Sequence, residues 1–172
     1  MSPEKHAALL EPLAVALRLE QEGRQSFLDA AANTKSKLAR QTFEFLAKEE
    51  DKHIAHIKEF IDSITDTDGQ KLFDAGISNA EEKLASFNAR LKQLKDEITP
   101  TASDVEAYEF ALKFENGAEE FYAEQLEKSD NEHVRKFYRW LIDEETMHAR
   151  LLKSCLRFAE DPTAWFTEHR SS

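Results

Sequence analysis

Apolar residues recur at alternating steps of three and four along four long stretches of the sequence, which is the spacing of one helix face. The stretches predict helices over about 5–32 and 36–63, and again from near Asp104 to 128 and from 132 to about Ala159. Pro12 marks either the true start of the first helix or a kink in it. Because short polar segments separate the members of each pair, both pairs are predicted to be antiparallel neighbours.

A connection of about 40 residues, 62–103, joins the two pairs. Its second part begins with the capping box Ser78-x-x-Glu81 and ends at Thr99-Pro100, which predicts an extra amphipathic helix. The apolar stripe of this helix consists of Leu84, Phe87, Leu91, Leu94 and Ile98. Such a connection can cross the bundle and make the second and third main helices parallel. The stripe forms either a subunit contact or a contact with its own bundle, and the sequence favours neither.

The composition agrees with an all-α four-helix bundle, because Gly and Pro number only four each and strand-like runs are absent. The 172 residues are enough for one domain, 1–172, with a sizeable core. The capping box Ser103-x-x-Glu106 predicts the start of the third main helix, and Asp161-Pro162 predicts the end of the fourth. The aromatic residues of the tail 160–172, expected to dock on the bundle or on a neighbouring subunit, are Trp165 and Phe166.

The chain carries 34 acidic and 23 basic residues, a formal charge of −11. Nucleic acids and anionic membrane surfaces bind clustered Lys and Arg, so no nucleic acid and no membrane partner is expected. The charge suits the attraction of cations, and it is also an ordinary route to solubility. The single cysteine, Cys155, cannot form an internal disulfide. Without an apolar signal core or a run of roughly 20 apolar residues, the expected location is the cytoplasm.

Six potential metal ligands interrupt the apolar stripes, and they form two copies of one set related by adding 95 to each residue number. Each copy is a glutamate followed thirty residues later by Glu-x-x-His. The set comprises Glu20, Glu50 and His53 in the first half, and Glu115, Glu145 and His148 in the second. Two such sets facing one core are what a helical bundle needs to hold two metal ions.

The charge balance of these residues supports metal binding, since each uncompensated buried carboxylate costs several kcal/mol. Two divalent cations cancel four glutamates, while both imidazoles bind in the neutral form. A metal-free network of salt bridges needs Lys or Arg in the stripes, and none is there. The oxygen and nitrogen donors favour iron or manganese over structural zinc. We expect Glu50 and Glu145 to bridge the ions. Each ion then has one histidine and one terminal glutamate, Glu20 or Glu115.

Several neighbouring residues are interpreted as flanking or packing groups. Glu49 and Glu144 also repeat at the same offset, but they sit one step off the stripe, so we interpret them as groups flanking or backing the ligands. His56 lies off the stripe as well and is not predicted to bind metal. The in-register residues assigned to core packing are Cys155, Tyr108 and Tyr122, with a pocket-lining role as the alternative for the two tyrosines.

The two halves resemble a rubrerythrin-type ferritin-like domain. The segments that carry the resemblance are ALRLEQEGRQSF and FEFLAKEEDKHIAHI in the first half, and ALKFENGAEEFY and FYRWLIDEETMHARLL in the second. They cover about residues 10–62 and 104–158. The resemblance implies a carboxylate-bridged di-iron site in a ferritin-like four-helix bundle. It also implies reduction of hydrogen peroxide, or oxidation of ferrous iron by dioxygen or peroxide.

Two features depart from rubrerythrins. Those proteins carry a second domain with a four-cysteine iron centre, whereas this sequence has one cysteine, so we expect that domain to be absent and the electron donor to be external. They also use an extra glutamate three residues after the ligand on the third helix. That position is Ala118 here, with Glu119 one step out of register. The ligand exchange associated with peroxide reduction therefore lacks its residue.

Three functions remain open at this point. The leading hypothesis is a non-haem di-iron oxidoreductase that reacts with hydrogen peroxide or dioxygen. The second is a ferroxidase that oxidises iron and passes it on or stores it, in keeping with the acidic charge. The third is a metal-stabilised interaction module without turnover, which the crossover stripe and the aromatic tail favour. We expect two iron ions, with manganese or a mixed pair as alternatives, and a homo-oligomer, with a dimer favoured.

Overall fold

Six helices make up the described part of the chain, which in this computed structural model comprises residues 3–65, 80–93 and 101–170. In chain order they are α1 (Pro3–Asn33), α2 (Lys37–Thr65), α3 (Ala80–Gln93), α4 (Ala102–Lys128), α5 (Glu132–Glu160) and α6 (Pro162–Glu168). Because α1 begins at Pro3, Pro12 lies inside this helix and does not mark its start. The described residues contain no strand, so the predicted all-α fold is confirmed. None of their helices has the length and apolar character required to span a bilayer.

The four long helices form an antiparallel bundle with one crossover. Short connections make α1 and α2, and likewise α4 and α5, partners that pack along their lengths. Between α2 and α5, Thr42 meets Cys155 at one end and Phe60 stacks on Phe137 at the other. Residue numbers therefore rise along α2 as they fall along α5. Since α4 and α2 are both antiparallel to α5, they run parallel to each other, as the predicted crossover requires.

The crossover helix α3 packs on the bundle of its own chain, mainly against α5. Leu84 is buried in the core, and Phe87 packs at its edge. Ser154 of α5 donates a hydrogen bond to Asn88 Oδ1 at 2.7 Å. For these residues, packing on the same bundle explains the apolar stripe. The predictions that lie outside the described side chains are the capping box Ser78-x-x-Glu81, the stripe positions Leu91, Leu94 and Ile98, and the helix end at Thr99-Pro100.

The predicted capping box of α4 is wrong, because a different pair of residues caps the start of this helix. The observed box joins Thr101 and Asp104: the Asp104 N–H donates to Thr101 Oγ1 at 3.3 Å, and the Thr101 N–H donates to Asp104 Oδ2 at 3.0 Å. The sequence predicts a box formed by Ser103 and Glu106 instead. A tertiary contact explains the difference, because the Thr34 hydroxyl after α1 donates to Asp104 Oδ1 at 2.9 Å and adds to the interactions that fix this carboxylate.

The tail after α5 continues as a short helix. Asp161 caps α6 with its side chain, and Pro162 occupies the first helical position, where a missing N–H costs no hydrogen bond. The predicted helix stop is therefore also a helix start. Trp165 is fully buried with its ring 5.6 Å from that of Phe158, and Phe166 packs at the edge of the same cluster. The expected docking of the tail on the bundle is confirmed.

Candidate metal centre

Two glutamate–histidine pairs, one on α2 and one on α5, meet at mid-length of the bundle. Atoms of Glu50, His53, Glu145 and His148 that are capable of binding a metal all lie within 4.8 Å of one another. All four side chains are buried, and both histidines have no exposed surface. The spacing of three residues puts each pair on one helix face, and the antiparallel packing of α2 and α5 brings the two faces together.

The central glutamates lie between the two histidines. Glu50 places Oε2 3.5 Å from Nδ1 of His53 and Oε1 3.2 Å from Nδ1 of His148. Glu145 places Oε1 3.2 Å from Nδ1 of His53 and Oε2 3.7 Å from Nδ1 of His148. Each carboxylate thus presents one oxygen to each imidazole. This is the arrangement that a pair of bridging carboxylates requires.

Glu20 of α1 and Glu115 of α4 complete the cluster, each beside one histidine. Glu20 Oε2 lies 2.9 Å from Nδ1 of His53, and Glu115 Oε2 lies 3.5 Å from Nδ1 of His148. The structure therefore brings all six predicted residues together, with the distribution expected from the repeat. In both histidines the nitrogen that faces the carboxylates is Nδ1, so this is the nitrogen that would bind a metal.

Burial acts on all four carboxyl groups, but their surroundings divide them into two kinds. Burial, reinforced by the charge of Glu145, raises the pKa of Glu20 and Glu115 well above the usual carboxyl value. Burial also acts to raise the pKa of Glu50, but hydrogen bonds and the nearby histidines lower it to about 2. The nearby carboxyl group of Glu115 and contacts with both histidines likewise hold the pKa of Glu145 well below its ordinary value, despite burial.

The carboxylates around the two histidines favour the charged form of both imidazoles when no metal is bound. Burial lowers the pKa of each imidazole, but neighbouring carboxylates, including Glu50 for His53 and Glu115 for His148, raise it well above the ordinary value. In the metal-free cluster these opposite pKa shifts favour protonation of Glu20, Glu115 and both imidazoles and ionisation of Glu50 and Glu145. Two divalent ions would instead be balanced by all four carboxylates in the ionised form, with both imidazoles neutral.

Several polar atoms of the cluster lack hydrogen-bond partners that a bound metal ion would replace. Buried atoms without a hydrogen-bond partner among the described residues include both oxygens of Glu145, Oε1 of Glu115 and both nitrogens of His148. Each such atom costs about 1–3 kcal/mol if it stays unpaired. Metal ions would satisfy the atoms that face inward. Carboxylate oxygens with imidazole nitrogens suit iron or manganese.

Polar residues behind the cluster were only partly anticipated. Glu49 and Glu144, interpreted as flanking groups, are buried and share Lys83 of α3, whose Nζ donates to both. Lys83 was missed, although its spacing, four residues before Phe87, places it at the edge of the buried face of α3. Tyr122 packs in the core as expected, but its hydroxyl also donates a hydrogen bond to Glu20 Oε1.

The remaining candidates stay outside the cluster. His56 is half-buried, with its ring 4.6 Å from the ring of Trp140, and it is not part of the group of potential ligands found among the described residues. Cys155 is a buried free thiol 3.8 Å from Thr42 Oγ1. Tyr108 is buried in the same core cluster as Cys155. Packing accounts for the last two, as predicted.

Comparison with known proteins identifies the family. The Rubrerythrin family model matches residues 11–156, a span that includes both halves of the repeat, all six clustered residues and the crossover. No curated protein and no solved structure matches the chain. The family match and the buried glutamate–histidine cluster agree with each other: the chain belongs to the rubrerythrin family.

Proposed function

We propose that this chain is a non-haem di-iron oxidoreductase that reacts with hydrogen peroxide or dioxygen at a carboxylate-bridged site. The observation that carries the proposal is the placement of Glu50 and Glu145, each with one oxygen beside each histidine. Under this proposal these two glutamates would be shared by the two ions. Glu20 with His53 holds one ion, and the equivalent pair of the second half holds the other. Manganese or a mixed pair is the alternative metal content.

The surroundings of the cluster suit a small oxidant. Two ferrous ions held by these residues would supply two electrons in all, which with two protons convert one hydrogen peroxide to two waters. None of the six clustered residues is more than 2 % exposed, so bulk water and bulky organic substrates are kept away. The Tyr122 hydroxyl, bound to Glu20, keeps a proton donor beside the site.

Anaerobic iron loading tests the proposal. The protein is expected to bind two ferrous ions per chain, and stoichiometric hydrogen peroxide or dioxygen should oxidise both in one rapid step. The variant E50A should lose this reaction, because it removes a bridging group. E44A changes an exposed glutamate on the same helix and should behave like the wild type. Absence of bound iron, or no reaction of the loaded protein with either oxidant, would contradict the proposal.

Iron handling is the second candidate, and the residue at position 118 favours it. The position three residues after Glu115 is a buried alanine, so a further carboxylate is absent there. A ferroxidase would oxidise ferrous iron and pass it on or store it, and the charge of −11 would help to attract the ions. Uptake beyond two ions per chain, or a large assembly in light scattering, would favour this candidate. A fixed stoichiometry of two with many turnovers would favour the oxidoreductase.

The proposal also includes partners and a location. We propose an external electron donor for repeated turnover; the 172 residues contain one cysteine, too few for a four-cysteine iron centre among them. We expect a homodimer in the cytoplasm. The last alternative is an interaction module without turnover. It would be excluded if E50A lost metal and activity while the fold and the molecular mass in solution stayed unchanged.

A further inference from the structure

One lysine of the crossover helix reaches the buried layer behind the metal-binding residues. Lys83 Nζ donates a hydrogen bond to Glu49 and another, 3.1 Å long, to Glu144 Oε2. The side chains of the three residues are 16 %, 2 % and 3 % exposed, respectively. Glu49 has a second cation in Lys52 at 2.5 Å, but that lysine is 59 % exposed. Lys83 is thus the more deeply placed of the two cations, where water screens its charge less.

Glu144 connects Lys83 with one of the central histidines. Its Oε2 atom, which accepts from Lys83, also lies 3.6 Å from Nε2 of His53, just beyond hydrogen-bond distance. Nδ1 of the same imidazole faces the glutamate cluster, so Nε2 is the outer nitrogen. A histidine that binds a metal through one nitrogen directs the N–H of the other to an acceptor, which fixes the tautomer and the ring orientation. Glu144 is the carboxylate placed for that task.

The other half of the repeat lacks this arrangement. Glu49 is the counterpart of Glu144, and His148 is the counterpart of His53, at the common offset of 95. Nε2 of both histidines is buried without a hydrogen-bond partner among the described residues. His53 nevertheless has a carboxylate oxygen 3.6 Å from Nε2, whereas the ion pairs found for His148 all involve Nδ1. The repeat therefore places two equal ligand sets in unequal surroundings. The crossover helix adds a further difference, because α3 packs mainly against α5.

We propose that Lys83 is a positioning residue of the metal centre, which holds Glu144 against the outer nitrogen of His53. The metal position beside His53 then differs from the one beside His148. This inference rests on the proposed two-metal centre. A carboxylate on the outer nitrogen makes an imidazole a stronger metal ligand, and loss of such a partner lowers metal affinity about 10–100-fold. Without Lys83, Glu49 and Glu144 would repel each other, and Glu144 would turn away from His53.

Anaerobic titration with Co(II), whose visible absorption reports the ligand field, tests the inference. The wild type should bind two ions in two steps of unequal affinity with distinct spectra. K83M removes the charge but keeps the chain length, and it should weaken one step about tenfold or more and shift its bands. K83R should restore both. K113M removes an exposed lysine of α4 and serves as the charge-matched control.

A double variant separates positioning from simple docking of α3. E144Q should weaken the same step as K83M, and K83M/E144Q should be no weaker than E144Q alone if Lys83 acts through Glu144. Two equal steps in the wild type, an unchanged K83M titration, equal weakening of both steps or additive effects in the double variant would each overturn the inference. These results leave the proposed function intact. A wild-type chain that binds no metal pair would overturn both.

Discussion

The imidazole rings of His53 and His148 stack with their centroids 5.0 Å apart and their planes 14° from parallel. Two imidazolium ions at this distance repel each other, and burial opposes their charge. Surrounding carboxylates nevertheless raise the pKa of both well above the ordinary value. Because Glu50 and Glu145 each contact both rings, they compensate this repulsion in the metal-free protein. Metal ions would take the place of the protons, since a metal-bound imidazole is neutral.

Metal loading near pH 6 is therefore expected to release protons. Their sources are the two imidazolium groups and the carboxyl groups of Glu20 and Glu115, whose pKa is raised by burial. Metal affinity should rise steeply with pH, because each released proton competes with the metal. Calorimetric titration in buffers of different ionisation enthalpy counts the protons. E20Q should release fewer protons than the wild type, whereas E44Q should match the wild type. Release near zero would contradict a protonated cluster.

The stability of the metal-free protein is expected to fall as the pH rises above about 4.5, the ordinary carboxyl value, because of Glu20 and Glu115. It should fall further above about 6.5, the ordinary histidine value. A group whose pKa is raised by folding stabilises the native state below its unfolded pKa, and this contribution is lost as the pH rises through the folded pKa. The lowered pKa of Glu50 and Glu145 acts in the opposite sense, but only below about 4.5. Thermal unfolding between about pH 6 and pH 9, with chelator and with metal, should show a difference in Tm that widens with pH. A constant difference would count against this account.

Bridging and terminal glutamates are expected to differ in their effect on metal content. E50A should lose both ions, because Glu50 faces both histidines. E20A should lose one ion, because His53 is the one central histidine that Glu20 contacts. Metal analysis after anaerobic loading and desalting gives the stoichiometry, with E44A as the control. Equal losses in E20A and E50A would show that the two glutamates do not have these separate roles.

The six clustered residues could be predicted from sequence because two independent patterns constrain them. The offset of 95 pairs the two halves, and the stripe register separates Glu50 and Glu145 from their equally repeated neighbours Glu49 and Glu144. Helix geometry then leaves little freedom, since residues three apart lie on one face. The lengths of the connections predict how the helices are arranged. Short connections make the members of each pair antiparallel, and the long one lets α2 and α4 run parallel.

Residues that depend on tertiary packing could not be predicted in this way. Lys83 reaches the centre only because α3 docks on the bundle, and no periodic pattern indicates which glutamate it would meet. Tyr122 was placed in the core by its register, but its hydrogen bond depends on the orientation of one hydroxyl. The start of α4 was misplaced because both Thr101 and Ser103 are good capping residues, and a contact from the end of α1 distinguishes them.

Removing the Tyr122 hydroxyl is expected to weaken the half of the site that contains Glu20. Y122F leaves Glu20 Oε1 without its buried donor, and an unpaired acceptor of this kind costs about 1–3 kcal/mol. The metal step that involves Glu20 should weaken, and the other should not. Y138F is the control, because Tyr138 is in the same core cluster with its ring 6.2 Å from that of Tyr122. Two-step Co(II) titration measures both affinities, and identical titrations of the two variants would contradict this role.

Gly23 allows α1 and α4 to approach each other beside the cluster. A Cβ atom at this position would lie 2.8 Å from Cε1 of Phe114, the residue before Glu115. G23A is expected to destabilise the metal-free protein by about 1–3 kcal/mol through overpacking. That loss exceeds the gain of about 1 kcal/mol that alanine brings to a helix. Denaturant unfolding measures the balance.

Gly117 provides a matched control for this substitution. A Cβ atom there would meet nothing within 4 Å, so G117A receives only the helix-propensity gain and should stabilise the protein by up to about 1 kcal/mol. The two alanine variants should therefore have effects of opposite sign. If G23A were as stabilising as G117A, the ring of Phe114 would yield without cost. In that case the close approach at Gly23 would not be what sets the spacing between α1 and α4 beside Glu20 and Glu115.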